Sequence, residues 1–309
     1  MSQTWSHLIR FESDGKTYYG DAIFPPSSNT DDVVRIASEG NLKASIIKGD
    51  PLSMGYSMES DEIKVEKLLS PLSQEQVPII RCVGLNYLKH SKSASCISRA
   101  LTEREKVIEG GRTPPPYPSI FIKPATSLAS FDADVVIPKL AQKTLDYEGE
   151  LTIVIGKTAR DIPEDEAATY IAGYVCSNDV SCRLWQRDPS YAGKVPQWCF
   201  SKGFDGFAPI GPMIVSPKVL GLADKQDLKT IVNGETRQDS NTSDLLFGVA
   251  KIVAFASQGT TLQAGSLIMT GTPSGVALGM KTPKYLEDSD VVEVAVQGLG
   301  KLKNKMVFE

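Results

Sequence analysis

The stretch "LDYEGELTIVIGK", residues 145–157, sets two carboxylates ahead of a run of strand formers. Residues 151–155 are nearly all apolar or β-branched, which predicts a strand. Successive side chains on a strand point to opposite faces, so Glu148 and Glu150 share one face with only Gly149 between them. Taken alone, the pair reads more readily as the solvated side of a half-exposed strand. Two negative charges that close crowd each other, and a cation relieves them. A second segment bears on this: "GYVCSNDVSCRLWQ", residues 173–186, predicts a strand ending at Asn178 and Asp179. A carboxylate from there would complete a three-oxygen grip on a hard divalent ion, with Gly149 leaving room for ion and ligand to approach.

The rest of the chain limits what such a site can be. Its 309 residues suffice for one large core, or for a main domain with a smaller appendage. The apolar fraction of 41% and charged fraction of 23% are those of an ordinary globular protein, and a net charge of -4 gives no electrostatic reason to expect nucleic acid. The first residues contain no apolar leader, Glu12 and Asp14 argue against a transit peptide, and no stretch reaches membrane-spanning length; a cytoplasmic protein without membrane contact is expected. Five cysteines without close pairing fit reduced, mostly buried thiols. With two histidines, His7 and His90, any metal site must be built mainly from oxygen, which favours magnesium, manganese or calcium over zinc.

Residues 1–75 read as short strands and turns, a small N-terminal β-rich module, followed by a main domain over 76–309. In that domain "PIIRCVGLNYLKHSKS" (78–93) predicts a buried strand, a turn at Gly84 and Asn86, and a short helix carrying His90. A polar connection follows over 91–117, long enough to suggest a lid. Beyond it, strands outnumber helices. Two helices are predicted, one opening at Pro163 in "PEDEAATYIAGY" and one capped by Asn241 or Thr242 with Leu245, Val249, Ile252 and Ala256 at helical spacing. The absence of regular strand–helix alternation points to an α+β fold dominated by antiparallel or mixed sheet.

The segments "GLNYLKH", "IFIKPATSL", "DYEGELTIVIGK", "AGYVCSNDVSCRLWQ", "QWCFSKGFDGFAPIGP", "VNGETRQ" and "LIMTGTPSGV", in this order, resemble the fumarylacetoacetate hydrolase family from about residue 78 to the C-terminus. With its short N-terminal module, the chain is most similar to the group that joins fumarylacetoacetate hydrolase domain-containing protein 2 to the 2-hydroxyhepta-2,4-diene-1,7-dioate isomerases. The resemblance implies a mixed β-sandwich roll, a homodimer, and a magnesium or manganese ion held at Glu148, Glu150 and Asp179.

It also implies a small-molecule substrate, a 2-oxo acid with a second carbonyl or carboxylate nearby, whose carboxylate and keto oxygens chelate the metal. His90 matches the family's acid–base histidine and Lys202 its active-site lysine, an ammonium able to hold an oxyanion. Arg183 and Gln186 lie one helical turn apart after Asp179 and either orient the carboxylates or are surface polars. Thr272, in the turn "TGTP", is a candidate to cap a substrate carboxylate through its hydroxyl or the turn's amides. One departure matters. Where family hydrolases carry a glutamate three residues after the histidine, this chain has Ser93, which hydrogen-bonds but cannot take a proton as a carboxylate does. Proton shuffling and decarboxylation are less affected than hydrolysis; Glu103 or Glu105 stands as a substitute carboxylate if the connection closes. By resemblance to that group, the expected activity is oxaloacetate keto–enol tautomerisation, or a related isomerisation or decarboxylation. The alternatives are acylpyruvate-type C–C bond hydrolysis and a non-catalytic metal- or ligand-binding protein.

Overall fold

The apolar run of the opening stretch forms the strand Gly149–Ile155, buried on both faces along its length. Its antiparallel neighbour Ile171–Asn178 is buried throughout as well. These are the central strands of the molecule, whose computed structural model describes residues 4–53, 55–87 and 115–309. On one side the sheet runs through Leu267–Met269 and Ile80–Gly84 to Ser119–Lys123; on the other it runs through Ile214–Val215 to His7–Ser13, Lys16–Ile23, Lys43–Lys48 and Ser57–Lys64. The N-terminal strands thus hydrogen-bond into the large sheet, His7 opposite Val215 and Leu8 opposite Ile214.

A second sheet, of strands Glu235–Asn241, Asp227–Val232, Val291–Val296, Gly300–Phe308 and Val135–Ile137, packs on one face of the central pair. Alternation decides which residue goes where. Leu151, Ile153, Tyr174 and Cys176 point into the core shared with Leu228, Val292 and Val294. Val154, Ala172 and Val175 point the other way, into a second core with Ile80, Ile210 and Met269. Most pairings are antiparallel, but Leu267–Met269 with Ile80–Gly84, Gly300–Phe308 with Val135–Ile137, and Ala208–Ile210 with Leu128–Ser130 are parallel. The architecture is α+β, as the sequence pattern predicts, and a mixed β-sandwich with few and short helices, as the family resemblance implies.

The two expected helices are shorter than their sequence patterns suggest. The segment after Pro163 is a 3-10 helix, Glu164–Tyr170, that passes directly into the central strand at Ile171, because sheet pairing claims the β-branched and aromatic residues there. In the other, Asn241 does cap, but it caps a 3-10 turn, Thr242–Asp244; the α-helix proper is Val249–Ser257, burying Val249, Ile252, Val253 and Ala256. Cys82, Cys176 and Cys182 are buried free thiols and Cys199 is an exposed one. Among the described residues, no helix is long and apolar enough to cross a membrane.

Candidate active site

Among the described residues, the buried charged side chains are Lys123, Asp146, Glu148, Glu150, Asp179, Arg183 and Lys202. Burying charge is costly unless it is paired, so a fold that gathers all its buried charges in one place has built a site there. Strand register does the gathering. Gly149 lies opposite Asn178, so Glu148 comes opposite Asp179, and residues opposite each other in an antiparallel pair share a face. The Asp179 amide donates to the Glu148 carbonyl at 2.8 Å, and the Asn178 side-chain oxygen accepts from the Glu148 amide at 2.9 Å. Glu150, one alternation on, shares that face, and an oxygen from each of Glu148, Glu150 and Asp179 lies within 4.8 Å of the other two.

The cations are arranged unevenly around these acids. Lys123, at the end of the strand Ser119–Lys123, donates to Asp179 Oδ1 and to the Phe207 carbonyl, both at 2.6 Å. Lys202, closing the helix Trp198–Lys202, commits its three N–H groups to Asp179 Oδ2 (2.6 Å), Ser181 Oγ (2.6 Å) and Glu148 Oε2 (2.8 Å). Arg183, first residue of the helix Arg183–Arg187, forks between Asp146 at 2.8 Å and Glu148 Oε1 at 2.6 Å, and donates to Gln186 Oε1 at 3.0 Å. Burial disfavours the Lys202 ammonium, but Asp179 and Glu148 more than offset this and raise its pKa, so it keeps its charge through neutral pH. Among the described residues no lysine or arginine pairs with Glu150; the Gly271 amide donates to its Oε2 at 2.7 Å. Burial, then the charges of Asp179 and Glu148, push the Glu150 carboxyl well above the usual range.

The arrangement fits a divalent cation. Four buried carboxylates face three buried cations, and the least compensated of the four, only 1% exposed, stands within reach of two others. Hard oxygen donors of this kind suit magnesium or manganese. A pH dependence follows. Without a cation Glu150 retains its proton to higher pH than an ordinary glutamate, and cation binding must expel that proton; apparent magnesium affinity should therefore rise with pH until the carboxyl is ionised on its own. Titration calorimetry in buffers of different ionisation heat should report proton release on the acid side of that range and none above it.

Other expectations change in the light of this geometry. A methyl on Gly149 would lie 2.2 Å from Thr230 Oγ1 and 2.9 Å from Val294 Cγ1, so the missing side chain makes room for the second sheet; alternation turns it away from the carboxylates. The Thr272 hydroxyl donates to the Gly149 carbonyl at 3.0 Å and accepts from Gln238 at 2.7 Å, while the Gly271 amide of the same turn serves Glu150. Arg183 and Gln186 are buried, not surface polars. His90, Ser93, Glu103 and Glu105 lie outside the described residues. His7 packs edge-on against Phe24, 5.2 Å between ring centres, in the N-terminal strands.

Three participants escape a reading of the sequence: Lys123, Asp146 and Asn86. Asp146 accepts from the Ala277 amide at 2.8 Å and the Leu278 amide at 3.1 Å as well as from Arg183. Asn86 pegs the end of the strand Ile80–Gly84, donating to the Thr270 and Phe247 carbonyls at 2.7 and 3.1 Å. An open cleft above the cluster has a polar lining of Glu148, Arg183, Gln186, Arg187, Lys202 and Thr272. Its apolar lining is Val83, Leu85, Phe121, Trp198, Val276 and Leu278.

Known proteins resemble this chain over most of its length. Over the full length of this chain (100%) and 96% of the other, it is 35% identical to the caffeoylpyruvate hydrolase of Neonothopanus nambi. It is 34% identical to oxaloacetate tautomerase fahd2, mitochondrial, of Xenopus laevis over 78% of this chain and 68% of that one. Among solved structures, 2-hydroxyhepta-2,4-diene-1,7-dioate isomerase from Mycobacterium marinum superposes with a TM-score of 0.74 at 27% identity, covering 98% of this chain and 99% of that one. The family model for the fumarylacetoacetate (FAA) hydrolase C-terminal region matches residues 79–307, a span holding all seven buried charges and the cleft above them, and the chain belongs to that family.

Proposed function

We propose that this chain is a divalent-metal-dependent enzyme of 2-oxo acid chemistry whose reaction is C–C bond hydrolysis of a 2,4-dioxo acid. The observation that carries the reading is the convergence of every described buried charge beneath a cleft lined by both polar and apolar side chains. A bound magnesium or manganese ion would be held by Glu148, Glu150 and Asp179 and would supply Lewis-acid stabilisation of the negative charge that develops on a keto oxygen. The chain's own residues do the rest. Arg183 and Lys202 fix the rotamer of Glu148, and Lys123 and Lys202 fix that of Asp179, so the donor set is preorganised. Of the two lysines, Lys202 is the one that also lines the cleft, and it presents its charge to a developing oxyanion. The Gln186 side-chain carbonyl is taken by Arg183, which leaves its side-chain NH2 to donate to a substrate oxygen. The apolar lining excludes water from the remainder of the substrate.

In the hydrolysis, a water oxygen bonds to C4 and the C3–C4 bond breaks. Its electron pair goes to C3, which takes a proton, releasing a carboxylic acid and pyruvate. His90 is assigned the proton transfers by the resemblance of "GLNYLKH". Likeness over the whole chain, N-terminal strands included, to a protein named for acylpyruvate hydrolysis supports this choice. A second reading, oxaloacetate keto–enol tautomerisation, is favoured by Ser93 and by likeness to a named tautomerase. Magnesium-loaded protein should consume acetylpyruvate or a longer acylpyruvate and lose that activity to chelator. A tautomerase would change the enol absorbance of oxaloacetate while leaving acylpyruvates intact, and a binding protein would do neither.

A further inference from the structure

The apolar lining of the cleft has a definite shape. Trp198 opens the helix that ends in Lys202, and its indole rests directly on the backbone of Gly84: a methyl built there would lie 1.8 Å from Cζ3 and 2.3 Å from Cη2. No side chain fits between the indole and that strand. Phe121 stands against the same indole at 5.3 Å between ring centres and 86° between planes. The Phe121 ring in turn lies 5.3 Å from the Lys202 ammonium, which is bonded to both Glu148 and Asp179. The two rings therefore form a square corner that begins one ring's width from the carboxylate cluster. Val83 and Leu85, flanking Gly84, line the same cleft. A flat ring entering this corner lies on one face and meets the edge of the other, the arrangement that aromatic quadrupoles favour. A methyl group would touch little of it.

We propose that Trp198, seated on Gly84 and squared against Phe121, is the specificity-determining residue of the cleft, and that the substrate carries an aromatic acyl group at the far end of its 2,4-dioxo acid. This rests on the reading of the cleft as a 2,4-dioxo acid site. Gly84 is its positioning residue, acting through the indole. Hydrophobic pockets discriminate by roughly 10- to 200-fold, which sets the scale of the effect.

The test is kcat/KM of the magnesium-loaded full chain on benzoylpyruvate, acetylpyruvate and oxaloacetate, for wild type, Trp198→Ala, Trp198→Phe and Gly84→Ala. Wild type should prefer benzoylpyruvate over acetylpyruvate by about tenfold or more. Trp198→Ala should lose on the order of 10- to 100-fold on benzoylpyruvate, mainly through KM, with a loss on acetylpyruvate at least about tenfold smaller. Trp198→Phe should recover most of the preference. Gly84→Ala, which keeps the indole but removes its seat, should follow Trp198→Ala; this pair decides the matter even if the alanine at 198 does not fold. Wild type that turns over both dioxo acids without preference, variants that lose equally on both, or a preference for oxaloacetate with its distal carboxylate would each overturn the proposal and leave the metal–oxo acid reading standing. Wild type inactive on all three acids would overturn both.

Discussion

Glu150→Gln is expected to abolish stoichiometric magnesium or manganese binding, and turnover with it. The amide keeps the size of the carboxyl group but removes a charge with which no described lysine or arginine is directly paired, and it replaces one anionic oxygen of the donor set with a neutral one. Changes to the surroundings of metal ligands typically cost about 10- to 100-fold in affinity, so loss of a charged ligand itself should cost at least about 100-fold. The same substitution should leave the cation-free protein no less stable. A neutral amide is cheaper to bury than an acid held out of water beside Asp179 and Glu148, and the Gly271 amide still finds an acceptor. Calorimetric titration with magnesium and thermal unfolding with and without it separate the two effects. A variant that binds the ion with wild-type affinity would remove Glu150 from the site.

Lys123→Met should be strongly destabilising. The side chain is wholly buried, and methionine preserves its bulk while deleting the ammonium that Asp179 Oδ1 and the Phe207 carbonyl share. Breaking one side of a buried ion pair typically costs about 3–5 kcal/mol, because the partner charge is left behind. Adding Asp179→Asn removes much of that stranded charge, so the double variant should cost less than the sum of the two single ones, by on the order of 1–3 kcal/mol. Denaturant unfolding of the four proteins without metal gives both numbers. Lys123→Met within about 1 kcal/mol of wild type would mean that the pair is not held as described.

Lys123 also illustrates why only part of the site is legible in the chain. In "SIFIK" the two isoleucines suggest that residues 120 and 122 face inward, yet these are 36% and 46% exposed while Phe121 and Lys123 are buried. Parity gives the alternation but not which face is the core, and a lysine on the inner face is legible only once its partner Asp179 is in view. Glu148 and Glu150 were readable as one face because they lie on a single strand. Their meeting with Asp179 depends on the register of Gly149 opposite Asn178, which residue types alone do not fix. Asp146 was hidden for a similar reason, since its partners Arg183, Ala277 and Leu278 come from distant segments. The role given to Gly149 failed because that residue faces the second sheet, an element with no local signature near it.

The central claim is that Glu148, Glu150 and Asp179 together hold one divalent cation. A crystal of the full chain soaked in manganese, with anomalous diffraction recorded, tests it most directly. One peak per chain is expected, with an oxygen of each of the three residues at roughly 2.0–2.6 Å. No peak there, in crystals of protein that is active with manganese, would contradict the account.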